Sequence, residues 1–454
     1  MDVIVTILSF LALISLIVGI HELGHFSVAR YYNIHVIKFK IGFGKELYSF
    51  QDKNNCKYSL GILPLGGYVQ MLGENVITEE SDNLELKNKK SYLDAALYQR
   101  AAVTIAGPLA NFMTAIFIFF LISIVGTSQL GPYVGGVKQD SLASSANIQF
   151  MDKIVSIDEI EVKTFNDINL TLSNRIGDTG DIKIGFIKKG SNYNSDSSVS
   201  IENWLADSDQ SNLAKSFGIE PLVPPVIGGL LENGPAYHAG LQAGDLIQSI
   251  NGKSINSWSE LSDSINKASN ENISISILRE NETFLYTLRA ENVDLDGVNI
   301  GRIGIYASND FNQWPKEILF KKKENLFHAF LSGFTETYKI TKLILVSIVK
   351  MINGSVSAEN IGGPIMIAEI SGTAAKAGFL AFLSMIAILS INLGLINLFP
   401  IPVLDGGQLL LIAIEKVRGS PVPEIFLEYS LRIGILLVAS LMIFAFVNDI
   451  VRLI

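Results

Sequence analysis

Cysteine is nearly absent. The 454-residue chain has one, Cys56, which excludes an intramolecular disulfide framework. Histidine is scarce, with five residues in all, so a histidine pair at metal-binding spacing stands out. Charge is thin: Asp, Glu, Lys and Arg make up 17% of the chain, and the net charge is −9. That balance argues against nucleic acid as the main partner. The N-terminus lacks the basic start and the small-x-small cleavage site of a secretory signal, with Asp2 where a basic residue would stand. The expectation is a retained span.

What remains is apolar sequence, 48% of the chain. The length allows two or three domains. Four stretches approach the roughly 20 residues that cross a bilayer as a helix: Val3 to about Ala29, Val103 to Val125, Gly378 to Phe399, and Leu431 to Val447. Arg30, Lys38 and Lys40 follow the first, and Lys416 and Arg418 precede the fourth. This basic bias predicts cytoplasmic loops there and an N-terminus outside. Residues 30–100 form a cytoplasmic loop on this reading. Within it, Tyr58 to Leu72 is apolar, rich in glycine and carries Pro64. Too short to span as a helix, it predicts a β-hairpin or a re-entrant loop shielded by protein. Its edge either pairs with an extended substrate or merely plugs the helices, and both readings stay open. Glu74 to Lys90 is charged and reads as cytoplasmic loop.

From about 128 the apolar runs give way to an internal repeat. Ala146 to Ile168 aligns with Ala239 to Leu261 at an offset of 93: Ala146, Gln149, Asp152, Ile154, Ser156 and Ile157 match Ala239, Gln242, Asp245, Ile247, Ser249 and Ile250. The second copy, G-L-Q-A-G-D-L-I-Q-S-I-N-G, resembles the PDZ strand-turn signature in its permuted bacterial order. The first has Met151 for Gly244 and Glu159 for Gly252, and is a degenerate copy. Two PDZ-like modules are expected, 128–222 and 223–310, outside the cytoplasm. Binding of extended segments by strand addition and a plain filter or spacer are both open roles. Residues 311–377 read as amphipathic helices on the membrane surface, because Lys339, Lys342 and Lys350 interrupt Leu326 to Asn353. Gly362-Gly363-Pro364 marks a turn.

The chemistry sits in two places. His21-Glu22-Leu23-Gly24-His25 closes the first apolar run. Residues four apart share a helix face, so His21 and His25 can hold one metal ion and Glu22 can reach a water on it. Ionisable groups at membrane depth are functional candidates. The second place is N-L-F-P-I-P-V-L-D-G-G at 397–407. Pro400 and Pro402 break the helix and can turn Asp405 inward as a third ligand. In Gly107-Pro108-Leu109-Ala110-Asn111-Phe112, small residues allow close helix contact and Asn111 can bond across helices. Packing is the favoured reading there.

These three motifs together resemble the site-2 protease family of intramembrane zinc metalloproteases. The four spans with tandem PDZ-like repeats between the second and third resemble its Gram-negative type. The resemblance covers essentially the whole chain. It implies one Zn2+ per chain on His21, His25 and Asp405, with Glu22 as general base. It implies that Asn397, in the helix before the Pro-x-Pro bend, holds unwound substrate together with Pro400 and Pro402 of that bend, and that the strand at Gly66, Gly67 and Tyr68 pairs with it. Gln408 stands where some relatives carry His. The implied place is the bacterial inner membrane, with the PDZ-like modules periplasmic and the active site toward the cytoplasm. The implied substrates are single-span membrane proteins: an anti-sigma factor after a first periplasmic cut, and remnant signal peptides. A PDZ-bearing scaffold or receptor with a structural zinc is the competing class. It would need four ligands, and His35 is a poor fourth. A metal transporter with inverted repeats fits less well, since the repeat here is direct and outside the membrane.

Overall fold

A computed structural model describes residues 2–73, 89–206, 212–295, 298–308, 310–311, 314–354, 356 and 362–453. Most of the charged loop expected at 74–90 lies outside the described residues. The chain divides into two compact units: Met1–Val125 with Glu324–Leu345 and Ala358–Ile454, and Gly126–Lys323 with Val346–Ser357.

In the first unit four helices are long and apolar enough to cross a membrane, among the described residues: Val3–Tyr31, Leu97–Val125, Phe379–Asn397 and Ile425–Arg452. They correspond to the four expected stretches, with shifted ends. The second helix starts at Leu97, ahead of the expected Val103, because Arg100 finds Glu415 at 3.0 Å and its charge is paired. The third stops at Asn397, since Pro400 offers no N–H to continue it. The fourth runs over Glu424–Leu453, well beyond Leu431 to Val447. Close approach is written in glycines. A Cβ on Gly24 would lie 2.3 Å from Ala106 O on the second helix, and one on Gly394 would lie 3.1 Å from Pro108 O.

The Leu326–Ile352 stretch is one continuous helix. Its Ala329, Gly333 and Thr337 form a buried stripe, and Gly333 lies against Ile116. A second helix follows at Pro364–Ala377. Its N-terminus is capped from afar: the Asp449 carboxylate accepts from the N–H groups of Gly363 (2.8 Å), Ile365 (2.8 Å) and Met366 (3.2 Å). A negative charge at a helix N-terminus is doubly favourable, satisfying orphan donors and the helix dipole.

A hairpin is present, but Tyr58 to Leu72, expected to form a hairpin or re-entrant loop by itself, supplies only one of its arms. Val36–Gln51 pairs antiparallel with Lys57–Met71, and the register is irregular. Lys38 to Ile41 face 57–60 on one side and 67–70 on the other, while 46–51 face 57–61. Both strands therefore bend, and 67–71 forms a rim of the sheet. Gly42 and Gly44 make the bend in the first strand with φ of +85° and +80°, a region closed to most side chains. Arg30, at the end of the first helix, pairs with Asp52 in the turn and so ties hairpin to helix.

The second unit repeats itself in space as in sequence. Ile160–Glu161, Lys153–Ile157, Gly180–Ile187 and Asn194–Ile201 form a four-stranded sheet in that order. Lys253–Ser254, Leu246–Ile250, Asn272–Arg279 and Glu282–Arg289 form the matching sheet. Each copy has its own apolar core. The aligned Asp152 and Asp245 are both buried; each accepts the backbone N–H three residues before it, Gln149 and Gln242. Met151 and Glu159 hold the left-handed backbone, φ +70° and +65°, that Gly244 and Gly252 hold in the other copy. The degenerate positions thus kept the turn. Beyond the boundary expected at 311, Leu319–Lys322 pairs with Thr127–Leu130 before the long helix begins.

Replacing Asp449 with Ala leaves three N–H groups without their acceptor. The expected loss is about 1–2 kcal/mol, the range of a strong helix cap, read as a lower Tm in detergent. Asp449→Asn, which keeps one acceptor oxygen, should lose less. An unchanged Tm for Asp449→Ala would exclude the cap as a stabilising element.

Candidate metal centre

His21 and His25 are one turn apart on the first helix and both buried. Their Nε2 atoms lie 3.1 Å apart. Asp405, in the first turn of the helix Asp405–Arg418, places Oδ2 3.1 Å from His21 Nε2 and Oδ1 3.5 Å from His25 Nε2. A tetrahedral ion with ligand bonds of about 2.0–2.1 Å has ligand atoms about 3.3 Å apart. The three residues are also the one group of metal-ligand type found among the described residues. Asp405 Oδ2 is buried and has no hydrogen-bond donor aimed at it. Electron-pair donors packed this closely, one of them an orphaned carboxylate oxygen, fit a cation.

The local sequence explains the convergence. On the second helix, a Cβ on Gly107 would lie 2.2 Å from His25 Nε2 and 2.8 Å from His21 Cε1. No other residue type leaves room for both rings. After Asn397 the chain turns tightly, with Ile401 N–H to Phe399 O at 2.7 Å and Leu404 N–H to Ile401 O at 2.8 Å. The next helix then folds back against that turn. A Cβ on Gly406 would lie 2.2 Å from Leu398 O, and one on Gly407 would lie 2.2 Å from Ile401 O. The two prolines and two glycines around Asp405 thus form one steric device that brings the carboxylate to the histidines. The Arg100–Glu415 pair links this helix to the second one.

Each imidazole has a partner on its far side. His25 Nδ1 lies 2.8 Å from Val103 O. A carbonyl only accepts, so Nδ1 carries the proton and the Nε2 lone pair points at the centre. His21 Nδ1 faces the Asn111 side chain at 3.2 Å. Glu22 is half-buried and accepts a hydrogen bond from the Val69 N–H. A Cβ on Gly67 would lie 3.3 Å from Glu22 Cγ, so the rim strand and the carboxylate are neighbours.

A cavity of about 410 Å³ joins these parts. It is lined by His21, Glu22, His25 and Asp405, by Gly66, Gly67 and Tyr68 of the rim strand, and by Asn397 and Gln408. Asn397 Nδ2 is 3.3 Å from His21 Nε2. Of the expected substrate-holding residues, Pro400 and Pro402 do not line the cavity; they shape the turn. Gly107, Asn111 and the Val69 N–H were missed as site residues. Gly107 and Asn111 did carry a signal: they are four apart and so share a helix face.

A site of this kind, set among helices of membrane length, is that of a metalloprotease. Residues 9–441 match Peptidase family M50, and the chain belongs to that family. It is 35% identical over 450 residues to the regulator of sigma-E protease RseP of Escherichia coli K12, with 98% of each chain covered. It is 34% identical over 448 residues to the RseP of Salmonella typhimurium strain 14028s, again with 98% of each covered. A putative zinc metalloprotease of Vibrio cholerae is 32% identical over 457 residues, with 100% of each covered.

Gly107→Ala drives a methyl group into both rings. Its zinc content, measured by elemental analysis of purified protein, is expected to fall at least about tenfold, as for loss of an outer-shell partner. Asp405→Ala and His21→Ala should also lower it. Unchanged zinc stoichiometry in Asp405→Ala would remove Asp405 from the site.

Proposed function

We propose that the protein is an intramembrane zinc endopeptidase with one Zn2+ per chain on His21, His25 and Asp405, cutting the membrane segments of single-span proteins. The observation that carries this reading is the shared cavity, where the three ligand-type residues, Glu22 and a strand rim meet. The competing scaffold with a structural zinc would close its site with four protein ligands. Among the described residues three come together, which leaves a position for water or substrate.

Bound there, zinc supplies a Lewis acid that makes water nucleophilic near neutral pH and polarises the scissile carbonyl. Glu22 takes the proton of the attacking water and delivers it to the leaving nitrogen. His21 and His25 hold their Nε2 atoms at the centre through the partners on their far sides. A substrate helix satisfies its own backbone, so opening it in lipid costs several kcal/mol for each exposed group. The rim at Gly66, Gly67 and Tyr68 and the Asn397 amide offset that cost by offering new hydrogen bonds to the extended segment.

The natural substrates on this reading are an anti-sigma factor, cut after a first periplasmic cleavage in envelope-stress signalling, and remnant signal peptides. The RseP names of the relatives support the first. The place is the bacterial inner membrane. The basic residues Arg30, Lys38, Lys40, Lys416 and Arg418 support a cytoplasmic position for both halves of the site. The two PDZ-like modules would then be periplasmic, where they admit only substrates already trimmed of a bulky outer domain.

A reporter with one type II span tests the activity, with and without chelator. Wild type should cleave it, and chelation should stop cleavage. Glu22→Gln should keep its zinc while cleavage drops by several orders of magnitude. Substantial proteolysis by a metal-loaded Glu22→Gln enzyme would sink the assignment of Glu22.

A further inference from the structure

We propose that Asn111 is a positioning residue for the metal centre: its side-chain oxygen accepts the Nδ1–H of His21 and so aims the His21 Nε2 lone pair at the ion. This rests on the reading of His21, His25 and Asp405 as a metal site.

Asn111 is completely buried. Its Nδ2 stands 3.2 Å from His21 Nδ1, while its Oδ1 is buried with no partner. In this orientation the amide donates to Nδ1. The ring proton would then sit on Nε2, where the Asn397 Nδ2 group, itself a donor, also points at 3.3 Å, so two donors meet. Such a ring cannot ligate, because its inward nitrogen holds a proton instead of a free lone pair. Turning the amide about its last torsion exchanges oxygen and nitrogen with almost no change of shape. Oδ1 then faces Nδ1, the proton moves to Nδ1, and Nε2 is free to bind.

His25 differs from His21 in this respect. Its outer partner, Val103 O, is a backbone carbonyl that only accepts, so that ring is committed to ligation. His21 has instead a side-chain amide, which offers the ring both a donor and an acceptor. Asn and Gln amides have this property, whereas a carboxylate or an apolar group of similar size does not. The requirement also places chemistry in the G-P-L-A-N-F segment. Gly107 clears space for the rings, and Asn111, one turn on, sets the protonation of one of them.

The test uses the purified full-length protein. Zinc affinity is measured by chelator competition for wild type, Asn111→Leu and Asn111→Asp. Asn111→Leu should bind zinc roughly 10–100-fold more weakly, the usual cost of losing an outer partner of a ligating histidine. Asn111→Asp, which keeps the acceptor, should bind at least as tightly as wild type. In zinc-loaded, 15N-histidine-labelled protein, His21 Nδ1 should show a hydrogen-bonded N–H in wild type and Asn111→Asp, and a free one in Asn111→Leu. A residue that only packed the helices would leave this resonance unmoved. Wild-type affinity in Asn111→Leu, or an unchanged His21 resonance, overturns the proposal. Should the Leu variant not fold, Asn111→Asp decides: wild-type affinity or better with a hydrogen-bonded Nδ1–H supports it, and weaker binding overturns it. Failure of the metal-site reading itself looks different, since wild type would then bind no zinc.

Discussion

The centre exists only because two apolar helices come closer than side chains normally permit. For His21 and His25 to meet Asp405, they must project into the surface of the next helix, and that surface must have a hole. Gly24 removes the side chain on one side of the interface and Gly107 on the other. In a membrane bundle, tight packing of small residues is itself a source of association, since lipid offers no hydrophobic gain for bringing helices together. The same glycines therefore serve stability and chemistry. Asp405 follows a similar rule, with Gly406 and Gly407 packed against backbone carbonyls so that the carboxylate reaches the rings.

Polar groups in such a bundle must find partners, because no water replaces a missing one. The chain meets part of this by pairing groups across long sequence distances. Val103 O serves His25, Asn111 faces His21, Glu415 pairs with Arg100, and Asp449 caps a helix that begins 85 residues earlier. Each of these bonds joins two elements as well as satisfying a donor. The buried polar groups thus fix which helix lies against which, something apolar surfaces alone specify poorly.

Much of this was legible in the sequence, and the reasons differ by element. The helices long enough to cross a membrane were readable because apolar length is a local property. His21, Glu22 and His25 were readable because helical periodicity places them together. Asp405 was readable from the Pro400–Pro402 break, a local steric fact. The ends of the helices were not: the second begins at Leu97, where Arg100 pairs with the distant Glu415, and the fourth begins at Glu424, ahead of Glu428 and Arg432, which pair one turn apart on the helix itself. Asn111 looked like packing because its partner is 90 positions away. Asp449 gave no signal, because its cap belongs to a turn that the sequence announces only as Gly362-Gly363-Pro364. The bend of the hairpin was hidden too: its register depends on Gly42 and Gly44 adopting positive φ together.

The rim strand places a condition on whatever pairs with it. Val69 donates its N–H to Glu22, so that donor is already committed while the carboxylate holds its position. An extended segment lying along 66–71 must therefore draw its hydrogen bonds from the remaining backbone groups of the rim. Side chains alternate along a strand, so a shift by one residue exchanges the faces. A strand whose N–H at one position is reserved has fewer registers to offer than a free edge. On the proposed reading of Glu22 and the rim, the contact that positions the carboxylate would also narrow how an extended segment can be laid against the strand, so that backbone geometry as well as side-chain pockets would select what reaches His21, His25 and Asp405.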